Sequence, residues 1–171
     1  MEDVVLLIGG NLGDRMAYIL QATQALTAFF GHAPRRSSAI YETAAWGGAS
    51  DGAYLNQALV FQSDRSPEQV LDALQQIELQ LERTREVRWG DRTMDIDILF
   101  FGQRPIDTPR LQVPHPRIVE RRFVLYPLWD LFPSGPLPVL AETVGDLLRA
   151  CPDTCAVEKF SQEQRSSSTA R

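Results

Sequence analysis

Residues 88–101 read Arg-Trp-Gly-Asp-Arg-Thr-Met-Asp-Ile-Asp-Ile-Leu-Phe-Phe, and this stretch changes character half-way along. Its first half is basic and contains a glycine, which is typical of a loop. Its second half is a run of branched and aromatic residues that ends before Gly102, and such a run predicts a buried β-strand. We therefore expect a loop that leads into a core strand, with Asp95 and Asp97 at the entrance of that strand.

The two aspartates are separated by one residue, so in a strand their side chains point to the same face of the sheet. At a rise of about 3.3 Å per residue they start roughly 6.6 Å apart at the backbone. Two carboxylates at this separation can share a pair of divalent cations about 3.5–4 Å apart. For an isolated Asp-x-Asp the alternative is a solvated strand end whose carboxylates pair with nearby arginines.

Arginine is concentrated just before this pair, at positions 83, 85, 88 and 92. Guanidinium groups match phosphate oxygens bidentately. Mg²⁺ prefers carboxylate oxygens together with the phosphates of a substrate. The combination indicates a polyphosphate ligand.

Composition narrows the class of protein. A length of 171 residues suits one domain, and 44% hydrophobic with 23% charged residues is ordinary for a soluble protein. The net charge of −5 gives no general attraction to nucleic acid or acidic membranes. No apolar run approaches ~18 residues and the start of the chain lacks a signal-peptide pattern. We therefore expect a cytoplasmic protein, with neither nucleic acid nor membrane as a partner.

The order of the expected elements is strand, helix, strand, strand, helix, strand, and then extra helices. This order predicts a ferredoxin-like α+β sandwich with an antiparallel sheet and additional C-terminal helices. Strands are expected at 4–8, 36–43, 54–61 and 95–101, and helices between 14 and 31, from 67 to about 81, at 118–131 with a break at Pro127, and at 144–151.

Two segments carry glycine or charge with little apolar anchorage, 44–53 and 82–93. We expect both to be loops that close over a bound ligand. A third glycine-bearing segment, Gly9-Gly10-Asn11-Leu12-Gly13, lacks the lysine of a phosphate-binding P-loop. Its glycines are expected to allow a tight turn beside the site.

Several blocks of the sequence, taken in order, resemble the 6-hydroxymethyl-7,8-dihydropterin pyrophosphokinase family of folate biosynthesis. Each block is weak by itself, but the ordered set is specific and covers roughly residues 4 to 150. The blocks are Ile8-Gly-Gly-Asn-Leu-Gly-Asp-Arg15, Tyr41-Glu-Thr43, Tyr54-Leu-Asn56-Gln-Ala58, Gln75-Gln-Ile-Glu78, Arg88-Trp-Gly-Asp-Arg-Thr-Met-Asp-Ile-Asp-Ile-Leu99, Val113-Pro-His-Pro116 and Arg121-Arg-Phe-Val-Leu-Tyr-Pro-Leu128.

The resemblance implies transfer of the pyrophosphoryl group of ATP to the hydroxymethyl group of the reduced pterin, with release of AMP and with two Mg²⁺ ions as cofactors. By motif, Asp95 and Asp97 are similar to the metal ligands of the family, and with Arg83 and Arg92 they would form the catalytic set. The positions that match ATP-binding residues are Gln75, Arg85, Arg110, His115 and Arg121.

The positions that match pterin-binding residues are Thr43, Tyr54, Asn56, Trp89 and Phe123, and Phe123 is expected to stack opposite Tyr54. We expect a single pyrophosphokinase domain over residues 1–155, a polar and disordered tail over residues 156–171, and a monomer. The chain departs from the family pattern at Gly10, Ala44, Ala45 and Asp91.

Two other functions are compatible with the same fold. A ferredoxin-like binding or regulatory module would have kept the fold and lost the activity, but here both aspartates and the loop arginines are present. An RNA-binding sheet would show basic charge and paired aromatic residues on two adjacent strands. The acidic balance of the chain and the lack of this aromatic pattern disfavour it.

Overall fold

The structure, a computed structural model, describes residues 1–44, 52–82 and 93–161. Over these ranges the strands are β1 (Glu2–Gly10), β2 (Arg36–Ser37), β3 (Tyr41–Thr43), β4 (Tyr54–Ser63), β5 (Asp95–Phe101), β6 (Ile106–Asp107), β7 (Gln112–Val113) and β8 (Val157–Lys159). The helices are α1 (Arg15–Phe30), α2 (Pro67–Glu82), α3 (Arg122–Leu131), α4 (Val144–Ala150) and a short 3₁₀ helix, Ile118–Glu120. Most of both predicted loops lies outside the described residues.

The main sheet has the strand order β5-β1-β4-β3-β8, with β2 also paired to β4, and all of its described pairings are antiparallel. The small sheet of β6 and β7 stands apart. The order of β1, β3, β4 and β5, with helices between β1 and β3 and between β4 and β5, is the ferredoxin-like arrangement. The fold predicted from the sequence is confirmed.

Side chains alternate along β1 and build two cores, one on each face of the sheet. Val4, Leu6 and Ile8 pack with α1 and α2, whereas Val5 and Leu7 pack with α3 and α4. All five are at most 4% exposed, which is why this part of β1 has an unbroken apolar sequence. Burial on both faces is expected of an interior strand, and β1 lies between β5 and β4.

The apolar half of residues 88–101 forms β5 and includes a β-bulge. Val5 pairs with Phe100 and Leu6 pairs with Ile98, so Leu99 is the extra residue. Leu99 and Phe100 therefore both face the core of α3 and α4, while Phe101 returns to the core of α1 and α2. The bulge thus places two consecutive large residues, Leu99 and Phe100, in the same core.

Two details of the element prediction were wrong. The single strand expected at 36–43 is divided into β2 and β3. The interruption is at Ser38, whose hydroxyl accepts the Ala58 N–H at 2.9 Å and whose carbonyl accepts the Gln57 side-chain amide at 2.9 Å, so side chains replace one backbone bond of the pairing with β4. Pro127 does not break its helix but lies buried inside α3. The apolar face of α3, which packs on the sheet, offsets the one helical hydrogen bond that a proline lacks.

The structure differs from the sequence prediction in the first part of the expected tail. Residues 157–159 form β8, which pairs with β3 from Tyr41↔Lys159 to Thr43↔Val157. Because this segment is polar, its composition did not indicate a strand. Its backbone forms hydrogen bonds with the backbone of β3, which would otherwise be an exposed edge strand. Residues 162–171, the rest of the predicted tail, lie outside the described residues. Among the helices that are described, none is long and apolar enough to span a membrane.

Candidate active site

The register of the sheet brings the predicted site residues of three strands to one end of one face. Gly9 of β1 pairs with Asp95 on one side and with Asn56 on the other. Directly paired residues point to the same face, so Asp95 and Asn56 share a face and lie roughly 10 Å apart across Gly9, given about 5 Å for each pairing. By alternation Asp97 and Tyr54 share that face, and Thr43 pairs with Tyr54.

Gly9 is required where it stands because the Asn56 side chain lies directly over it. A Cβ at Gly9 would come within 2.1 Å of Asn56 Oδ1 and within 2.4 Å of the Leu55 carbonyl oxygen. The expectation of a tight turn was therefore wrong for Gly9, which is part of β1. Sequence reasoning identified the glycine but not its role, since only the pairing of β1 with β4 brings Asn56 over it.

On the outer side of Asp95 and Asp97 the sheet ends, and a pocket of about 760 Å³ lies along this edge of β5. This volume is in the usual range for small-molecule sites. Its apolar wall includes Leu71 of α2, Ile98 and Leu111, and its polar lining includes Asp97, Asp107, Arg110 and His115.

Asp97, His115 and Arg121 are close enough to influence one another's charge. Burial raises the pKa of Asp97, and the nearby His115 and Arg121 partly oppose that shift. Burial lowers the pKa of His115, against the influence of Asp97, and burial also lowers the pKa of Arg121. Asp97 therefore interacts favourably with both neighbours, whereas Arg121 opposes a positive charge on His115, and burial disfavours the charged form of all three groups.

The imidazole of His115 is held in one orientation by its own chain. Its Nδ1 accepts the Arg117 backbone N–H at 3.3 Å, and its backbone N–H donates to the Leu99 carbonyl at 3.3 Å. With Nδ1 used as an acceptor, the proton of the neutral ring resides on Nε2. The ring can therefore donate a hydrogen bond to an anion in the pocket.

Glu78 of α2 is a site residue to which sequence reasoning gave no role. Its Oε1 accepts the backbone N–H of Ile96 at 2.7 Å, between the two aspartates. Burial, with the nearby charges of Asp95, Asp97 and Glu82, raises the pKa of Glu78 to about 7, although the Ile96 amide opposes the shift. Glu78 lies outside the apolar stripe of α2, so its position in the sequence predicted a solvated side chain. Only the packing of α2 beside β5 reveals the contact with Ile96.

The remaining described candidates surround these groups. Arg110 is exposed and its Nη2 lies 2.6 Å from Asp72 Oδ1 on α2. Gln75 is exposed on the same helix, one turn from Asp72 and one turn from Glu78. Phe123 packs at the margin of the core of α3 and α4, with the Arg121 guanidinium 5.5 Å from its ring centre.

The Thr43 hydroxyl is buried and makes no hydrogen bond to the described part of the chain. A buried hydroxyl without a partner costs about 1–3 kcal/mol, so Thr43 is suited to receive a polar ligand. Four other predicted site residues, Arg83, Arg85, Trp89 and Arg92, lie outside the described residues.

The donor set at β5 fits Mg²⁺. Asp95 and Asp97 present hard oxygen ligands on one face, and the partly buried carboxyl group of Glu78 near them can add a further negative charge when it loses its proton. Mg²⁺ commonly takes one or two protein carboxylates and completes its shell with water and phosphate oxygens. The site is thus one of two aspartates, and residues 1–44, 52–82 and 93–161 contain no cluster of three or more His, Cys, Asp or Glu side chains able to hold a metal ion.

Comparison with known proteins identifies the family. The family model for 7,8-dihydro-6-hydroxymethylpterin-pyrophosphokinase (HPPK) matches residues 5–133. The chain belongs to this family. The match includes all of the site residues that the sequence predicted, from Thr43 to Phe123.

Relatives in the HPPK family are similar over most of the chain. A Bacillus subtilis protein named 2-amino-4-hydroxy-6-hydroxymethyldihydropteridine pyrophosphokinase is 44% identical over 124 residues, which are 72% of this chain and 74% of that protein. A Pseudomonas aeruginosa protein of the same name is 38% identical over 152 residues, 89% of this chain and 93% of that protein.

A solved structure supports the fold. The wild-type HPPK-DHPS of Plasmodium falciparum, solved with pteroate, superimposes with a TM-score of 0.63 at 16% sequence identity. The match covers 86% of this chain and 42% of that one, so this chain spans less than half of the larger protein. At this identity the likeness concerns the fold alone.

We predict that Gly9→Ala disrupts the site at the join between β1 and β4. The new methyl group would meet both the Asn56 side chain and the Leu55 backbone, so the free energy of unfolding should fall by about 1–3 kcal/mol and Asn56 should be displaced. Gly145→Ala is the matched control, because a Cβ there has no neighbour closer than 3.9 Å and alanine favours a helix by about 0.5–1 kcal/mol. Equal stability of the two variants in urea unfolding would contradict the close approach.

A second prediction concerns pH in metal-free buffer. The ordinary pKa of Glu78 is 4.5, and in the folded protein it is about 7. Between these two pH values Glu78 keeps its proton in the folded protein but has lost it in the unfolded chain. The contribution of Glu78 to stability therefore decreases as pH rises through this window and is constant above it. Glu78→Gln keeps an acceptor for Ile96 and removes the charge, so its stability relative to wild type should rise from about pH 5 to about pH 8. A difference independent of pH in urea unfolding would show that Glu78 is not protonated in the fold.

Proposed function

We propose that this chain transfers the pyrophosphoryl group of ATP to the hydroxymethyl group of 6-hydroxymethyl-7,8-dihydropterin and releases AMP, and that the reaction takes place across Gly9. The observation that supports this most directly is the shared register of β5, β1 and β4. It brings an acidic pair and a buried amide to one end of one sheet face, with no side chain between them. A phosphate-bearing ligand on one side can therefore meet a flat polar ligand on the other.

The pterin would bind on the β3 and β4 side. Asn56 is only 7% exposed, and its amide can both donate and accept, which suits the amide edge of a pterin ring. The buried hydroxyl of Thr43 offers a further polar contact. Tyr54 and Phe123 are half-buried, and rings on two sides of a flat bicycle would add about 0.5–1.5 kcal/mol beyond burial.

ATP would bind along the edge of β5. The pocket there offers an apolar wall for the base and, in Arg110 and His115, two hydrogen-bond donors for the phosphates. Arg110, His115 and Arg121 are the described groups proposed to contact the phosphates or ribose, with Gln75 near the nucleotide. His115 would donate through Nε2 as a neutral ring, because burial lowers its pKa.

Transfer that releases AMP requires the pterin hydroxyl oxygen to attack the β-phosphorus of ATP as the bond to the α-phosphate oxygen breaks, with loss of the hydroxyl proton. We propose that Asp95 and Asp97 hold two Mg²⁺ ions, which would neutralise charge on the phosphate oxygens when bound. The task of the protein is then to position both substrates and to exclude water. Arg83, Arg85, Arg92 and Trp89, assigned by their family positions, would complete the phosphate and pterin contacts.

The alternative is a family member that binds ligands without turnover. Incubation with ATP, Mg²⁺ and the reduced hydroxymethylpterin separates the two readings: formation of AMP together with the pyrophosphorylated pterin supports the enzyme, and binding without AMP supports the alternative. A monomeric state and a cytoplasmic location remain predictions from the sequence.

For the metal site, we predict that Asp97→Ala lowers kcat by about a thousandfold or more, since the loss of a shared ligand should cost ~4 kcal/mol in the transition state. Asp64→Ala is the control, because Asp64 is an exposed carboxylate between β4 and α2, away from the pocket, and this variant should retain nearly normal activity. Steady-state kinetics of both variants, with folding verified by circular dichroism, provides the measurement. Near-normal turnover by Asp97→Ala would exclude its role as a metal ligand.

A separate prediction concerns the rings. Tyr54→Leu and Phe123→Leu should each weaken pterin binding about fivefold to tenfold, which corresponds to roughly 1–1.4 kcal/mol of ring contact, and should leave ATP binding nearly unchanged. The reason is that these rings would contact only the flat substrate. Calorimetric titration of each variant with each ligand provides the measurement. Equal losses for both ligands would mean that the aromatic residues serve the core alone.

A further inference from the structure

The C-terminal segment, residues 153–160, contacts both walls of the cleft that we assign to the pterin. The family model matches residues 5–133 only, so this segment lies beyond the matched region. It nevertheless touches α3 just where Arg121 and Phe123 emerge, and it pairs with β3, which contains Thr43.

The first contact is at the start of α3. Arg121, which precedes the first turn of that helix, provides no side-chain cap. Instead the carboxylate of Asp153, 8% exposed, accepts the Arg122 backbone N–H at 3.0 Å and the Cys155 N–H at 2.9 Å. A carboxylate at this position satisfies a free N–H of the helix and interacts favourably with its dipole.

The Arg122 side chain reinforces the same junction. Its Nη1 donates to the Cys155 carbonyl at 3.0 Å and its Nη2 donates to the Tyr126 hydroxyl at 2.8 Å. The first turn of α3 is thus bound to the C-terminal segment through both backbone and side chain. The segment therefore helps to fix the direction in which Phe123 leaves the helix.

The second contact is with β3 and with the residue just before β4. Beyond the β8 pairing, the Phe160 N–H donates to the Ile40 carbonyl at 2.8 Å. The Phe160 ring lies 5.6 Å from the Arg15 guanidinium, which also donates to Glu42 at 2.7 Å and to the Ala53 carbonyl at 2.9 Å. Arg15 thus joins the C-terminal segment to β3 through Glu42 and to Ala53, the residue before β4.

We propose that Asp153 is a positioning residue for the pterin site: through the start of α3 and through β8 it sets the distance between Phe123 and the β3–β4 wall. This inference rests on the proposed function, because it takes Phe123 and Thr43 to be pterin contacts. ATP would be affected less, because Arg121 is the one described ATP contact that adjoins the Asp153 cap, whereas Arg110, His115 and the aspartates are held by other elements.

The test compares Asp153→Ala with Thr143→Ala in the full-length chain. Thr143 caps α4 by accepting the Asp146 N–H at 3.2 Å, so its removal also deletes a helix cap, on a helix to which we assign no ligand contact. Each variant is titrated with the reduced pterin, in the presence of a non-hydrolysable ATP analogue and Mg²⁺, and separately with the analogue. All titrations are made at a temperature where thermal unfolding shows the variant to be fully folded.

For Asp153→Ala we expect the dissociation constant of the pterin to rise about tenfold and that of the nucleotide analogue to rise less than about threefold. Thr143→Ala should leave both constants unchanged. Asp153→Asn, which retains one acceptor oxygen, should recover part of the pterin affinity, and it carries the test if the alanine variant does not fold. Unchanged pterin affinity in folded Asp153 variants, or equal weakening of both ligands, would overturn the proposal.

Phe123→Leu, titrated in parallel, separates this inference from the proposed function. If Phe123→Leu weakens pterin binding and the Asp153 variants do not, the pterin site stands and the positioning role of Asp153 is wrong. If Phe123→Leu has no effect on pterin binding, the assignment of the cleft is itself wrong and the positioning proposal is overturned with it.

Discussion

The pairing of β1 with β5 on one side and with β4 on the other is the constraint on which the site depends. Both pairings pass through Gly9. A one-residue slip of β1 would exchange the side chains packed in the core of α1 and α2 with those packed in the core of α3 and α4, and would move Gly9 away from Asn56. The core of the sheet thereby fixes the separation of the acidic pair and Asn56.

Electrostatics imposes a second constraint at the same place. Glu78, Asp95 and Asp97 are carboxylates near one another in partly buried surroundings, and the raised pKa values of Glu78 and Asp97 express the cost of charging them there. His115 and Arg121 offset only part of this cost at Asp97. Such an arrangement favours ligands that bring cations, which is why a metal-bound polyphosphate suits it better than a neutral ligand would.

The edge strand and the C-terminal segment show how the chain protects exposed backbone while forming a site. The outer edge of β5 is covered at Ile96 by Glu78 and at Leu99 by the backbone of His115, which leaves the pocket between them. The edge of β3 is covered by β8. In both cases the group that satisfies the edge also connects it to a neighbouring element, so the cleft is bounded by parts of the chain that are far apart in sequence.

The sequence by itself determined the order of the long strands and helices, the common face of Asp95 and Asp97, and the family, because apolar periodicity and local motifs depend on residues close together in the chain. It also identified Asn56, Thr43, His115 and Arg121 as candidates through their motifs. Only the tertiary structure decided that Gly9 makes room for Asn56, that Glu78 bonds the amide of Ile96, and that Asp153 caps α3. Each of these contacts joins residues at least 18 positions apart, where spacing along the chain contains no information about distance in space.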